Sequence, residues 1–199
     1  AWGVLKDRTQ PAPGNHEYET KHAAGYFGYF AERARSGYYA IWRGEWRIYS
    51  LNSEDIDRAQ IDWLMADLEA NPAPCVLAFW HRPLFTSRLR GGSPSVKPFW
   101  DILNAAGADV ILNGHAHSYE RFAPQTPDGL LADDGIREFV VGTGGARAGS
   151  FGEVAPNSEV QHTGTWGALR MRLAPGSYSW EFRWAWGEAF TDTGTASCH

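Results

Sequence analysis

The sequence predicts an α/β domain built on a mixed sheet, and three observations carry that prediction. Short apolar runs at 75–80, 109–112 and 139–141 have the length and density of strands buried on both faces. Segments of helical periodicity precede the first two runs, the alternation typical of parallel strands with crossover helices. From Trp166 to Trp184 the apolar period changes to two around a Gly turn, which adds a C-terminal antiparallel hairpin. The 199 residues are enough for one domain, 1–199, with a real core.

Taken in order, residues 20–36 carry a helix-like pattern interrupted by Gly and aromatics. Strand formers on either side of Arg43-Gly44-Glu45 predict a hairpin over 38–51. Asn52 or Ser53 is placed to cap the next helix, with Glu54 and Asp55 at its positive end. Ile61, Leu64, Met65 and Leu68 follow at i, i+3, i+4 and i+7, and Asn71-Pro72 ends the pattern. The strand from Cys75 ends at His81-Arg82-Pro83. Pro98 opens a second helix with Phe99, Ile102, Leu103 and Ala106 on one face, and Gly107 closes it. The strand from Asp109 ends at Asn113-Gly114-His115-Ala116-His117, and the strand from Phe139 at Gly142-Thr143-Gly144-Gly145. In the terminal hairpin Tyr178, Trp180, Phe182 and Trp184 share a face. Period two favours hairpin core over a sugar-stacking surface.

Composition removes several function classes. No run of about 18 apolar residues exists, so no membrane span is expected. The net charge of −5, without a basic stripe, argues against a nucleic-acid partner. The 14% aromatic content argues against disorder. Cys75 and Cys198 match no metal or redox spacing. They are either two unrelated thiols or one disulfide. The polar tail around Cys198 favours the disulfide, which implies an oxidising, secreted or periplasmic location.

Chemistry concentrates at the strand ends. His115 and His117 are two apart, so in an extended segment their imidazoles point the same way. His81 ends the neighbouring strand, and imidazole suits zinc and iron. Gly14-Asn15-His16-Glu17 adds a neutral amide oxygen and a further imidazole.

These residues also resemble a known family. Gly14-Asn15-His16-Glu17, Trp80-His81-Arg82-Pro83 and Gly114-His115-Ala116-His117, followed by Ser118-Tyr119-Glu120-Arg121, resemble the later motifs of the calcineurin-like metallophosphoesterases, nearest the purple acid phosphatase branch. The resemblance spans 11–145 in the right order. It implies a four-layer α/β/β/α sandwich, with one or two Zn, Fe or Mn ions at the sheet edge and a small phosphate ester as substrate. Asn15, His81 and His115 would hold one metal, His117 the other, and His16 would act on the substrate. Glu17 and Glu120 would orient ligand imidazoles, or stand as solvated loop carboxylates. Arg82 and Arg121 would bind substrate phosphate, or serve in ion pairs.

The family's first two motifs, Asp-x-His and Gly-Asp, have no counterpart before Asn15. Three expectations follow from that: a phosphoesterase completed by another segment, a minimal hydrolase with a single ion, or a non-catalytic binding remnant. Uncovered sheet edge would favour a homo-oligomer or a complementing N-terminal segment.

Overall fold

The computed structural model describes residues 2–34, 36–89 and 91–199, excluding the side chain of Trp2. Two β-sheets form its core. The larger has seven strands in the order β1-β2-β3-β4-β6-β5-β7, and the smaller is β10-β9-β8. The expected hairpin is β1 (Tyr39–Arg43) with β2 (Trp46–Ser50), paired antiparallel around Gly44, whose φ of 61° suits glycine. Then β3 (Cys75–Phe79), β4 (Val110–Asn113) and β6 (Arg137–Val141) extend the sheet in parallel. These are the three apolar runs.

Helix α2 (Arg58–Ala70) leads from β2 to β3, and α3 (Lys97–Ala105) leads from β3 to β4. Leu64 of α2 and Phe99, Trp100 and Leu103 of α3 pack on Val76, Ala78 and Ile111 of the sheet. The opposite sheet face, with Trp46, Leu77, Val110, Tyr119 and Phe139, packs on Tyr178, Trp180 and Phe182 of the smaller sheet. The layers are therefore helix, sheet, sheet. No helix among the described residues is long and apolar enough to cross a membrane.

Several local expectations change. The cap of α2 is Asp57, whose carboxylate accepts from the backbone N–H of Gln60 at 2.7 Å, not Asn52 or Ser53. Asn52 spends its side chain on Tyr18 Oη and the N–H of Glu54. The described residues of 20–36 hold one short α-helix, α1 (Ala24–Phe30), between two 3-10 turns (Lys21–Ala23 and Ala31–Arg33), because His22, Ala23 and Ala31 take left-handed or otherwise positive φ. Arg35 falls outside the described residues. Three polar segments are strands: β5 (Tyr119–Phe122), β7 (Ser158–His162) and β10 (Thr193–Ser197). The terminal hairpin of β8 (Thr165–Ala174) and β9 (Ser177–Gly187) is thus a three-stranded sheet. Tyr178, Trp180 and Phe182 are its core. Trp184 and Trp186 are 50% and 70% exposed, beyond a register shift at Trp166/Gly167.

Cys75 and Cys198 are joined, with Cα atoms 5.6 Å apart. The bond ties the first residue of β3 to the residue after β10, and so links the two sheets.

Candidate functional site

The site lies beyond the C-terminal ends of β3 and β4, where open α/β sheets place ligands. His81 and His115 follow these adjacent parallel strands, and the Gly114 N–H donates to the His81 carbonyl at 3.0 Å. Asn15 arrives from the first segment, whose Pro11 carbonyl accepts from Tyr39 Oη at 2.8 Å and Ser50 Oγ at 3.0 Å. Gly14 is required by closeness: a Cβ there would sit 2.8 Å from the His81 ring.

Three donor atoms converge. Asn15 Oδ1 is 2.7 Å from His81 Nε2 and 3.1 Å from His115 Nδ1, and the two nitrogens are 3.0 Å apart. No placement of ring protons satisfies all three edges. If both nitrogens donate to the amide oxygen, two N–H groups oppose each other. If one is unprotonated, its lone pair faces another acceptor. A cation at the centre satisfies all three, and metal bonds of about 2.0–2.1 Å place neighbouring donors about 2.8–3.4 Å apart between right-angle and tetrahedral geometry. Burial, more than any neighbouring charge, lowers both imidazoles from 6.5 to about 4, so each is a neutral lone-pair donor at mildly acid and neutral pH. The chemistry of this donor set fits one metal ion.

His117 lies in the same cleft but outside the triad. Its Nδ1 is 2.9 Å from the Arg147 carbonyl, which makes that nitrogen the N–H donor and leaves Nε2 free to bind. The segment is a turn, not extended. His115 has φ of 59°, so the alternation expected of His115 and His117 is broken, and the positive φ falls on His115 instead of Gly114. His16 also lines the cleft. It is 71% exposed, and its Nδ1 is held 2.7 Å from Glu19 Oε1.

The second tier of expected residues divides. Glu17 accepts from the Gly14 N–H at 2.7 Å, so it holds the loop and not an imidazole. Glu120 is fully buried and contacts no imidazole. Thr86 Oγ1, the Ser87 N–H, Ser158 Oγ and Gln161 Nε2 donate to it at 2.7–3.1 Å, which ties the 86–88 loop to β5 and β7. Arg82 forms a forked ion pair with Glu54, while its Nη1 is 3.4 Å from His115 Nε2. Arg121 points into the inter-sheet space, paired with Asp192 and Glu159, and is remote from the cleft chemistry.

Of the other histidines, His162 bonds Thr165 Oγ1 at 2.7 Å and stacks on Phe190. His199 pairs with Asp109 at 3.3 Å. Cys75, Asp109 and Cys198 also cluster, but both sulfurs are spent in the disulfide, which removes them as ligands.

Sequence reasoning missed two residues. Arg88 lines the cleft and donates from Nη1 to the His115 carbonyl at 3.0 Å. Its only sequence signal was its place in the long segment after a strand end. Glu138, beneath the same loop, accepts from the Leu84 and Phe85 N–H groups, and its second oxygen has no partner among the described residues. Burial raises its carboxyl well above the usual 4.5, so it keeps its proton while the same group in the unfolded chain ionises. The unfolded state therefore gains as pH rises above 4.5, and native stability falls. Glu138→Gln is expected to raise the melting temperature by a few degrees at neutral pH, with the gain vanishing below pH 4.5. Parallel melting curves across that range would contradict the assignment.

Comparisons with known proteins bear on the family and the fold. The model of the calcineurin-like phosphoesterase family matches residues 4–119. Purple acid phosphatase 18 of Arabidopsis thaliana is 25% identical over 171 residues, covering 81% of this chain and 37% of the relative. Purple acid phosphatase 15 of the same plant is 26% identical, covering 73% and 32%. The chain thus spans about a third of the length of these curated relatives. Among solved structures, purple acid phosphatase PPD1 from yellow lupin (Lupinus luteus) seeds superposes with a TM-score of 0.67 at 19% identity, covering 84% of this chain and 34% of that one. GAP50, the anchor in the inner membrane complex of Plasmodium, superposes with a TM-score of 0.63 at 14% identity, covering 81% and 53%. At these identities the structural likeness speaks for the fold.

Proposed function

Because the chain belongs to the calcineurin-like phosphoesterase family, we propose that it contributes the histidine-rich part of a metal-dependent phosphate ester hydrolase site. The observation that carries this reading is the convergence of Asn15 Oδ1, His81 Nε2 and His115 Nδ1 within 3.1 Å of one another. In the reading, these three hold one ion, of zinc, iron or manganese, and His117 offers Nε2 to a second. A bound ion supplies Lewis-acid polarisation of the phosphoryl group and acidifies water.

The chain's own residues supply the rest. In the reading His16 is the general acid: with Nδ1–H held by Glu19, the imidazolium form would give its Nε2 proton to the leaving ester oxygen as the P–O bond breaks, while water bonds to phosphorus and releases one proton to solvent, from which His16 is recharged. Glu17 holds Asn15 and His16 in place through the Gly14 N–H. The disulfide supports a secreted or periplasmic setting, where such bonds persist.

His115→Ala is expected to lower hydrolysis of a chromogenic phosphate ester by about 100-fold or more and to abolish zinc retention at equilibrium dialysis. Zinc retention and turnover equal to the unsubstituted chain would overturn the reading.

A further inference from the structure

Of the arginines that follow strand ends or belong to the motifs, Arg82 and Arg121 are paired with carboxylates, Arg147 is exposed and outside the cleft lining, and Arg88 faces the cleft. Arg82 is neutralised by Glu54, whose side chain is itself buried, through Nε and Nη2 at 2.8–3.0 Å. Arg121 is held by Asp192 and Glu159 between the sheets. Arg88 has no carboxylate within ion-pair distance among the described residues, although the chain as a whole is acidic. It is half-buried, and it is the one arginine among the described residues lining the cleft that holds Asn15, His16, His81, His115 and His117. An arginine in that position places on the cleft wall a positive charge with no carboxylate partner among the described residues.

The side chain is also held in place before any ligand arrives. Buried Glu120 grips the preceding residues through Thr86 Oγ1 and the Ser87 N–H. The Arg88 N–H donates to Thr86 Oγ1, and Arg88 bridges to Phe151 across the loop. Nη1 donates to the His115 carbonyl at 3.0 Å, so the guanidinium is anchored to the metal-donor turn itself. Gly149 makes room for it, since a Cβ there would lie 3.2 Å from Nε. One donor is therefore spent on aim, and a guanidinium has five in a planar fork.

We infer that Arg88 is the phosphate-binding arginine of this cleft, in place of Arg82 or Arg121, and that its ligand is a tetrahedral phosphate oxyanion. That the phosphate is the end of an ester rests on the phosphoesterase reading; binding of inorganic phosphate does not require it.

The test is titration of the whole chain with inorganic phosphate, followed by phosphorus NMR line broadening. Arg88→Gln is expected to weaken binding about tenfold, as loss of one charge-assisted contact does. Arg183→Gln, the same charge change on the exposed face of β9, is expected to leave it unaltered. Zinc affinity of Arg88→Gln is expected to be no weaker than that of the unsubstituted chain, which shows that the histidine turn is intact. Phosphate binding by Arg88→Gln equal to the unsubstituted chain, an equal loss in Arg183→Gln, or no phosphate binding at all would overturn the inference. A chain that binds phosphate through Arg88 but hydrolyses no ester would refute the hydrolase reading alone. A chain that hydrolyses esters with Arg88→Gln binding phosphate normally would refute this inference alone.

Discussion

Gly142→Ala is expected to cost about 3–4 kcal/mol of stability, near the upper end for a single substitution. A Cβ on Gly142 would lie 1.7 Å from the Ala116 carbonyl oxygen, a backbone atom that cannot rotate away. The Gly142 N–H also donates to the Ser118 carbonyl at 3.0 Å, so β6 and the histidine turn meet at this residue. Accommodating the methyl means moving residues 116–118, and with them the left-handed His115. The substitution should therefore lower the melting temperature by about 10 °C and weaken zinc binding as well. Gly144 is the control: nothing lies within 4 Å of the Cβ it would gain. Gly144→Ala should melt close to the unsubstituted chain. Equal melting of the two variants would mean that the close approach at Gly142 does not exist in solution.

The second large effect belongs to the disulfide. Cys75 and Cys198 are 123 residues apart in sequence, and closing so long a loop restricts the unfolded chain severely. In the chain-entropy view this contributes about 4–5 kcal/mol. The Cys75→Ala/Cys198→Ala double variant should lose that much, seen as a lower denaturant midpoint with little change in the unsubstituted native fold. Release of Cys198 should loosen β10 first, because among the described residues that edge strand pairs only with β9. An unchanged midpoint in the variant, or on adding reductant to the unsubstituted chain, would refute the assignment.

What the sequence made legible follows from how local each signal was. Strands β3, β4 and β6 were readable because burial on both faces forces an unbroken apolar run. Strands β5 and β7 were not, because their polar side chains satisfy one another across the sheet: Glu120 with Ser158 and Gln161, Arg121 with Glu159. That complementarity joins residues about 40 apart, and no window along the chain contains it. The cap of α2 was misplaced for a similar reason. Asn52, Ser53 and Asp57 are all competent caps, and it is Tyr18, 34 residues away, that takes up the Asn52 amide, while Gln60 of the helix itself bonds the Asn52 backbone.

At the site, strand ends marked His81 and His115, while Asn15 was singled out through the family resemblance of Gly14-Asn15-His16-Glu17; that the three side chains meet is a fact of the fold. The separate course of His117 hinged on one dihedral at His115. Arg88 was hidden because what sets it apart is what the other arginines do. Arg82 and Arg121 are occupied, and that is visible only in three dimensions.

The donor triad has a consequence for folding. Asn15 and His81 are 66 residues apart, His81 and His115 34 apart, and Asn15 and His115 100 apart. Bringing the two histidines together requires the parallel pairing of β3 with β4, and bringing in Asn15 requires docking of the first segment on β1 and β2. Such long-range closures come late and slowly. No partly folded fragment holds all three donors, so an ion that binds them recognises the finished chain and not its precursors. By mass action such an ion, if bound as proposed, would shift the folding equilibrium by RT ln(1 + [L]/Kd), and metal supply would become a term in how much native protein exists.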